Sequence, residues 1–149
     1  MPCIVIAPTA NLFLPSGMFK NGDSPGLTTS FALVTSWTAD TTPYPGSSVV
    51  SNGLLVQSTR GGVLVAANIL MSNAAAGAVT GTVQIKQGAT VIATSSPVSL
   101  GAFGGTGTAT CSATVDVTAG DSITLEARCS GGSVVVKSGT ANSWVRVTA

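Results

Sequence analysis

Three of the five acidic residues in this chain, Asp116, Asp121 and Glu126, fall within the stretch TVDVTAGDSITLEAR. Carboxylates gathered in this way could act as a general acid–base pair, hold a calcium ion, or simply tie down a turn between two strands. Calcium takes about six or more oxygen ligands, and the acidic loop pattern D-x-[DN]-x-[DN]-G is absent. Asp121 follows Gly120, a position where Asp commonly accepts hydrogen bonds from local backbone N–H groups. The chain has no histidine, which removes the commonest general base, the Ser–His and Cys–His dyads and the usual catalytic zinc ligands. No GxSxG, P-loop or dinucleotide fingerprint occurs. The Gly-rich run GAFGGTGTAT has neither the lysine nor the helix that a phosphate loop needs, so a flexible loop is expected there. The trio therefore reads as a structural turn, and the expectation is a protein that is not an enzyme, with no cofactor and no metal.

Two other sets of residues could carry chemistry. Cys3, Cys111 and Cys129 are odd in number and match no zinc spacing. A simple hairpin centred on Gly120 would set Cys111 opposite Cys129 and allow a disulfide; otherwise both act as small buried hydrophobes. Trp37, Tyr44 and Trp144 could form a sugar-binding platform, but packing in a core or between subunits is the plainer role.

These residues must be held by strands. From Phe31 onward Val, Ile, Thr and Ser dominate, and turn signals such as PGSS, SNG, RGG, KQGA, AGD and SGG recur at short intervals. In CSATVDV the residues Cys111, Ala113, Val115 and Val117 share one face; in SITLEAR it is Ile123, Leu125 and Ala127. TVQIKQGATVIA reads as a hairpin with Val83 and Ile85 before a turn at Gln87-Gly88, and Val91 and Ala93 after it. Two stretches break the alternation of apolar and polar faces. GVLVAANIL carries Val63, Val65, Ala67 and Ile69 on one face and Leu64, Ala66 and Leu70 on the other, while SWVRVTA sets Val145 and Val147 against Trp144 and Arg146. A strand that is apolar on both faces is buried on both, so a neighbouring subunit is expected over the second face.

Residues 1–30 differ from the rest. Pro2, Pro8, Pro15 and Pro25 favour extended backbone, and Leu12, Phe13, Leu14, Met18 and Phe19 make the segment too apolar for a solvated linker. It is expected to be an extended N-terminal arm lying on its own domain, a neighbouring subunit or a larger assembly, with residues 31–149 as the one β domain. Charged residues make up only 7% of the chain and the net charge is +1, too little to hold a nucleic-acid backbone. Mean hydropathy is high, at +0.50, yet no apolar run approaches the ~18 residues of a spanning helix. The first basic residue is Lys20, so no positive region opens a signal peptide. The expectation is cytosolic synthesis, no membrane contact and no nucleic acid, with the apolar excess hidden against other subunits.

RGGVLVAANILMS, the KQGATVIA hairpin, TVDVTAGDSITLEAR and the terminal VKSGTANSWVRVTA together resemble the jelly roll of the tumour necrosis factor and complement globular-head superfamily. SWTADTTPYPGSSVVSNGLLVQ is similar, more narrowly, to the C-terminal domains of actinobacteriophage virion proteins, among them minor tail proteins and capsid decoration proteins. The resemblance implies an all-β, two-sheet antiparallel jelly-roll sandwich, with Cys111 and Cys129 on opposite sheets. It also implies a homotrimer packed through one outer sheet face, where Leu64, Ala66, Leu70, Trp144 and Arg146 would lie. The function it implies is that of a capsid decoration protein on the virion surface, made in the host cytoplasm and bound to the major capsid protein. A minor tail protein or host glycan-binding module is the alternative.

Overall fold

The computed structural model describes residues 12–149. Among them thirteen strands and no helix are found. They are β1 (Ser16–Lys20), β2 (Ala32–Leu33), β3 (Trp37–Ala39), β4 (Val49–Val50), β5 (Gly53–Leu55), β6 (Arg60–Asn73) and β7 (Val79–Gln87). There follow β8 (Thr90–Thr94), β9 (Val98–Leu100), β10 (Gly105–Val117), β11 (Ser122–Cys129), β12 (Val134–Val136) and β13 (Ser143–Thr148).

The strands form two antiparallel sheets. The first runs β10-β6-β13-β1-β3, with β12 beside β6 where β13 has ended; the second runs β4-β5-β11-β7-β8, with β2 on β11 and β9 on β7. Side-chain alternation then decides what is inside. Val63, Val65, Ile69, Met71, Val145 and Val147 of the first sheet face Val83, Ile85, Leu100, Ile123 and Leu125 of the second, all fully buried. A side chain of this size contributes about 1.5–3 kcal/mol when fully buried. The jelly-roll expectation holds, including the placement of β10 and β11 in different sheets.

The boundary expected at residue 30 does not hold. β1 lies inside the first sheet, paired with β13 on one side and the edge strand β3 on the other, with Phe19 opposite Trp144 and Met18 opposite Val145. Met18 is fully buried in the core, and Phe13 is buried beneath the guanidinium of Arg60. The next stretch is tied in as well: Ser24 N–H donates to Val136, Leu27 N–H to Val134, and Asp23 pairs with Lys137. The prolines that suggested an arm instead bracket a strand: Pro15 precedes β1 and needs no ladder partner, and Pro25 follows it. Of the five residues assigned to a neighbour-binding arm, Met18 and Phe13 are committed to the protein's own fold, and Phe19 is half-buried on the sheet. Leu12 and Leu14 remain exposed. The part of the expected arm that precedes Leu12 lies outside the described residues.

Two smaller expectations also change. The β7–β8 turn falls at Gly88-Ala89, and a register shift after Ile85 leaves Val91 exposed while Ile92 and Ala93 pack on the core. GAFGGTGTAT is a loop only as far as Gly104; from Gly105 it is β10.

Lys20 ends β1 on its inward side and is buried, its Nζ donating to the Gly22 carbonyl at 2.6 Å. Desolvation lowers its pKa from the ordinary 10.5, with Asp23 partly offsetting the shift. The unfolded chain therefore holds the proton more tightly. Lys20 opposes folding at neutral pH, and that opposition fades as pH rises through the folded pKa towards the unfolded one.

Candidate functional site

The acidic stretch is the corner where the chain passes from the first sheet to the second. Asp121 N–H donates to Thr118 O at 2.9 Å, closing a turn in which Gly120 has φ +99°, a conformation that L side chains rarely adopt. Asp121 Oδ2 accepts from Thr118 N–H at 2.8 Å and from Gln87 Nε2 at 2.7 Å. The same Gln87 amide donates to the carbonyl of Asp116, so the corner is latched to the end of β7. Asp116 Oδ1 accepts from Gly62 N–H at 2.8 Å, and Glu126 bonds Gln84 and pairs with Lys86 at 3.1 Å. The three carboxylates thus have separate structural partners, and no group of three metal-binding side chains occurs among the described residues. Asp121→Ala leaves two donors without their acceptor and is expected to cost about 1–3 kcal/mol. Urea unfolding would measure that loss; an Asp121→Ala protein as stable as the wild type would remove the latch.

Cys111 and Cys129 lie in different sheets and are both free thiols. Burial pushes the Cys111 thiol up to about 11, so it is a poor nucleophile at neutral pH. Cys129 Sγ lies 3.4 Å from the Leu27 carbonyl. Cys3 lies outside the described residues.

The aromatics do not form one platform. Trp37 is buried between the sheets, with Nε1–H donating to Val34 O at 2.8 Å. Trp144 stands on the outer face of the first sheet, and Arg146 crosses it with the guanidinium carbon 3.9 Å from the indole centroid. Tyr44 closes the other side at 5.2 Å. Its ring rests on Gly17, where any Cβ would fall 2.7 Å from Tyr44 Cδ2. Arg146 is clasped between two rings from distant parts of the chain, and its buried Nε–H has no partner among the described residues.

Around this clasp the outer face of the first sheet is almost free of charge. The register places Thr148 and Thr114 beside Leu64, Arg146 and Ser112 beside Ala66, Trp144 and Thr110 beside Asn68, and Thr108 beside Leu70. Leu64 is 43% exposed despite its place in a central strand. Small side chains leave a shallow hollow of about 300 Å³ beside Trp144, floored by Ala66, Asn68 and Ser112. Leu64, Ala66, Leu70, Trp144 and Arg146 therefore do share one face, as strand parity predicts. Tyr44 and Phe19 complete that face. The sequence offered Tyr44 for a sugar platform or for packing and placed Phe19 in the arm, but set neither on this face, because Tyr44 reaches it from the loop TTPYPGSS and Phe19 from a strand read as an arm.

Two packed antiparallel sheets, with the long strand β6 inside one and the hairpin β7–β8 in the other, define a jelly-roll sandwich. Among solved structures the chain is similar to the Eiger tumour necrosis factor of S. frugiperda, with a TM-score of 0.61 and 13% identity over 91% of both chains. It is also similar to murine APRIL, with a TM-score of 0.58 and 11% identity over 91% of this chain and 98% of that one, at pH 8.0 and again at pH 8.5. At such identities the likeness is one of fold. No protein-family model and no curated protein matches the chain.

Proposed function

We propose that the protein is a non-enzymatic structural subunit that associates as a homotrimer and decorates a virion capsid, with the major capsid protein as its partner. The observation that carries the self-association is the uncovered outer face of the β10-β6-β13-β1-β3 sheet, where Leu64, Phe19 and the Tyr44–Arg146–Trp144 clasp lie among alanine and threonine side chains. Contiguous surface of this kind marks interaction sites. A closed ring covers it without leaving a patch open to endless addition. The likeness of residues 36–57 to actinobacteriophage virion proteins supports the setting, and the exposed Leu12 and Leu14 offer a point of attachment outside the trimer face.

Counting copies on purified particles, by quantitative mass spectrometry together with cryo-microscopy, tests the setting. Hundreds of copies over the shell are expected. A handful at the tail tip would replace decoration by a tail role, and absence from particles would overturn both.

A further inference from the structure

The outer face of the second sheet carries more charge than that of the first. Thr124, Glu126 and Arg128 of β11 point outward there, opposite Lys86, Gln84 and Thr82 of β7. Glu126 is taken by Lys86 and Gln84, and Asp23 by Lys137. All five acidic residues of the chain lie within the described residues, and none of them pairs with Arg128. A guanidinium stays charged at every ordinary pH. Arg128 is therefore a lasting positive charge for which the fold supplies no counter-charge.

Arg128 is also held in place. The register Ala127↔Ala32 brings Phe31 beside it, and the guanidinium carbon stands 4.6 Å from the Phe31 ring centroid. Stacking on a ring occupies one flat side of the guanidinium and leaves the N–H groups at its edge to donate. Arg128 lines a hollow of about 260 Å³ together with Thr29, Thr80, Thr82, Pro97 and Ser130. Thr82 stands directly opposite it across the β7–β11 ladder. Ser130 N–H donates to the Thr80 carbonyl, and Thr80 N–H donates to Ser130 Oγ, each at 2.9 Å, so the backbone fixes this wall. A serine oxygen that accepts in this way still has its O–H to give.

We propose that this hollow binds a small sugar acid, a uronic acid, through its carboxylate. The planar fork of one arginine matches the two oxygens and the single charge of a carboxylate. A phosphate ester carries about −1.5 to −2 at neutral pH, which one guanidinium leaves unbalanced. The hydroxyls of Thr29, Thr80, Thr82 and Ser130 both donate and accept, which complements the hydroxyls of a sugar ring. A protein carboxylate would engage the guanidinium and leave these hydroxyls without a part. The hollow is slightly smaller than the roughly 300–1,000 Å³ of ordinary ligand pockets, which suits one sugar residue. It lies on the opposite side of the sandwich from the face assigned to self-association, and the proposal does not depend on that reading.

Titration of the full chain with sodium glucuronate at constant ionic strength, followed by amide NMR, tests it. Saturable shifts are expected at Thr80, Thr82, Arg128 and Ser130, with a Kd of about a millimolar. Arg128 is exposed, so Arg128→Gln should melt with the wild type and bind glucuronate about tenfold or more weakly. Glucose, which lacks the carboxylate, should also bind about tenfold or more weakly than glucuronate. Absence of saturable shifts would overturn the proposal, as would equal binding by glucose or by the Arg128→Gln protein. Inorganic phosphate binding more tightly than glucuronate would overturn the choice of a carboxylate, and acetate binding as tightly as glucuronate would overturn the sugar.

Discussion

Met18→Ala is expected to destabilise the protein by about 2–5 kcal/mol, the range for truncating a buried Leu, Ile or Met. Met18 is the central inward side chain of β1, fully buried between Val145 on one side and Ala39 on the other. Its removal leaves a cavity under a sheet whose neighbouring strands are hydrogen-bonded and cannot collapse far. For a domain of this size each kcal/mol moves the melting temperature by about 2–4 °C, so calorimetry should record a drop of between about 4 and 20 °C. Leu12→Ala, at an exposed position, should stay within about 0.5 kcal/mol of the wild type. The pair of variants separates a strand from an arm. If Met18→Ala melts with the wild type, β1 does not belong to the core.

Leu64→Asp is expected to turn the assembly into monomers that melt close to the wild-type monomer. In one copy the Leu64 side chain is part-exposed on the outer face, so a carboxylate there stays solvated and costs the fold little. Covered by a neighbour it would be an unpaired buried charge, a cost of several kcal/mol at each site. A three-fold ring repeats the cost three times, and each 1.4 kcal/mol is worth about tenfold in the association constant. Trp144→Asp should act in the same direction and also release Arg146 from its clasp. Sedimentation equilibrium at micromolar concentration reads both. A wild type that sediments as a monomer would remove the self-association reading, and a Leu64→Asp protein that stays trimeric would move the interface to another surface.

Much of this arrangement was legible in the chain because strand alternation is a local property. The parity that puts Val63, Val65, Ala67 and Ile69 inside and Leu64, Ala66 and Leu70 outside needs only the period of two. The same parity paired Trp144 with Arg146, and local turn chemistry made a turn of Gly120-Asp121. The misreading of β1 has an equally physical cause. SGMFK is five residues with a glycine second, preceded by Pro15 and followed by Pro25, and nothing local distinguishes it from an extended arm. It becomes a strand because β3 and, more than a hundred residues later, β13 supply its ladder partners.

By itself the sequence determined the β class, the faces of the long strands, the absence of histidine chemistry and the character of the acidic turn. All of these depend on residue type and on neighbours a few positions away. Tertiary structure alone decided which sheet each strand joins, and so that Cys111 and Cys129 remain apart. It also decided that Gly17 makes room for Tyr44, that Arg146 is gripped from two sides, and that β10 is left as a long edge. Those outcomes turn on pairings between distant segments, whose closure entropy and packing no local pattern records.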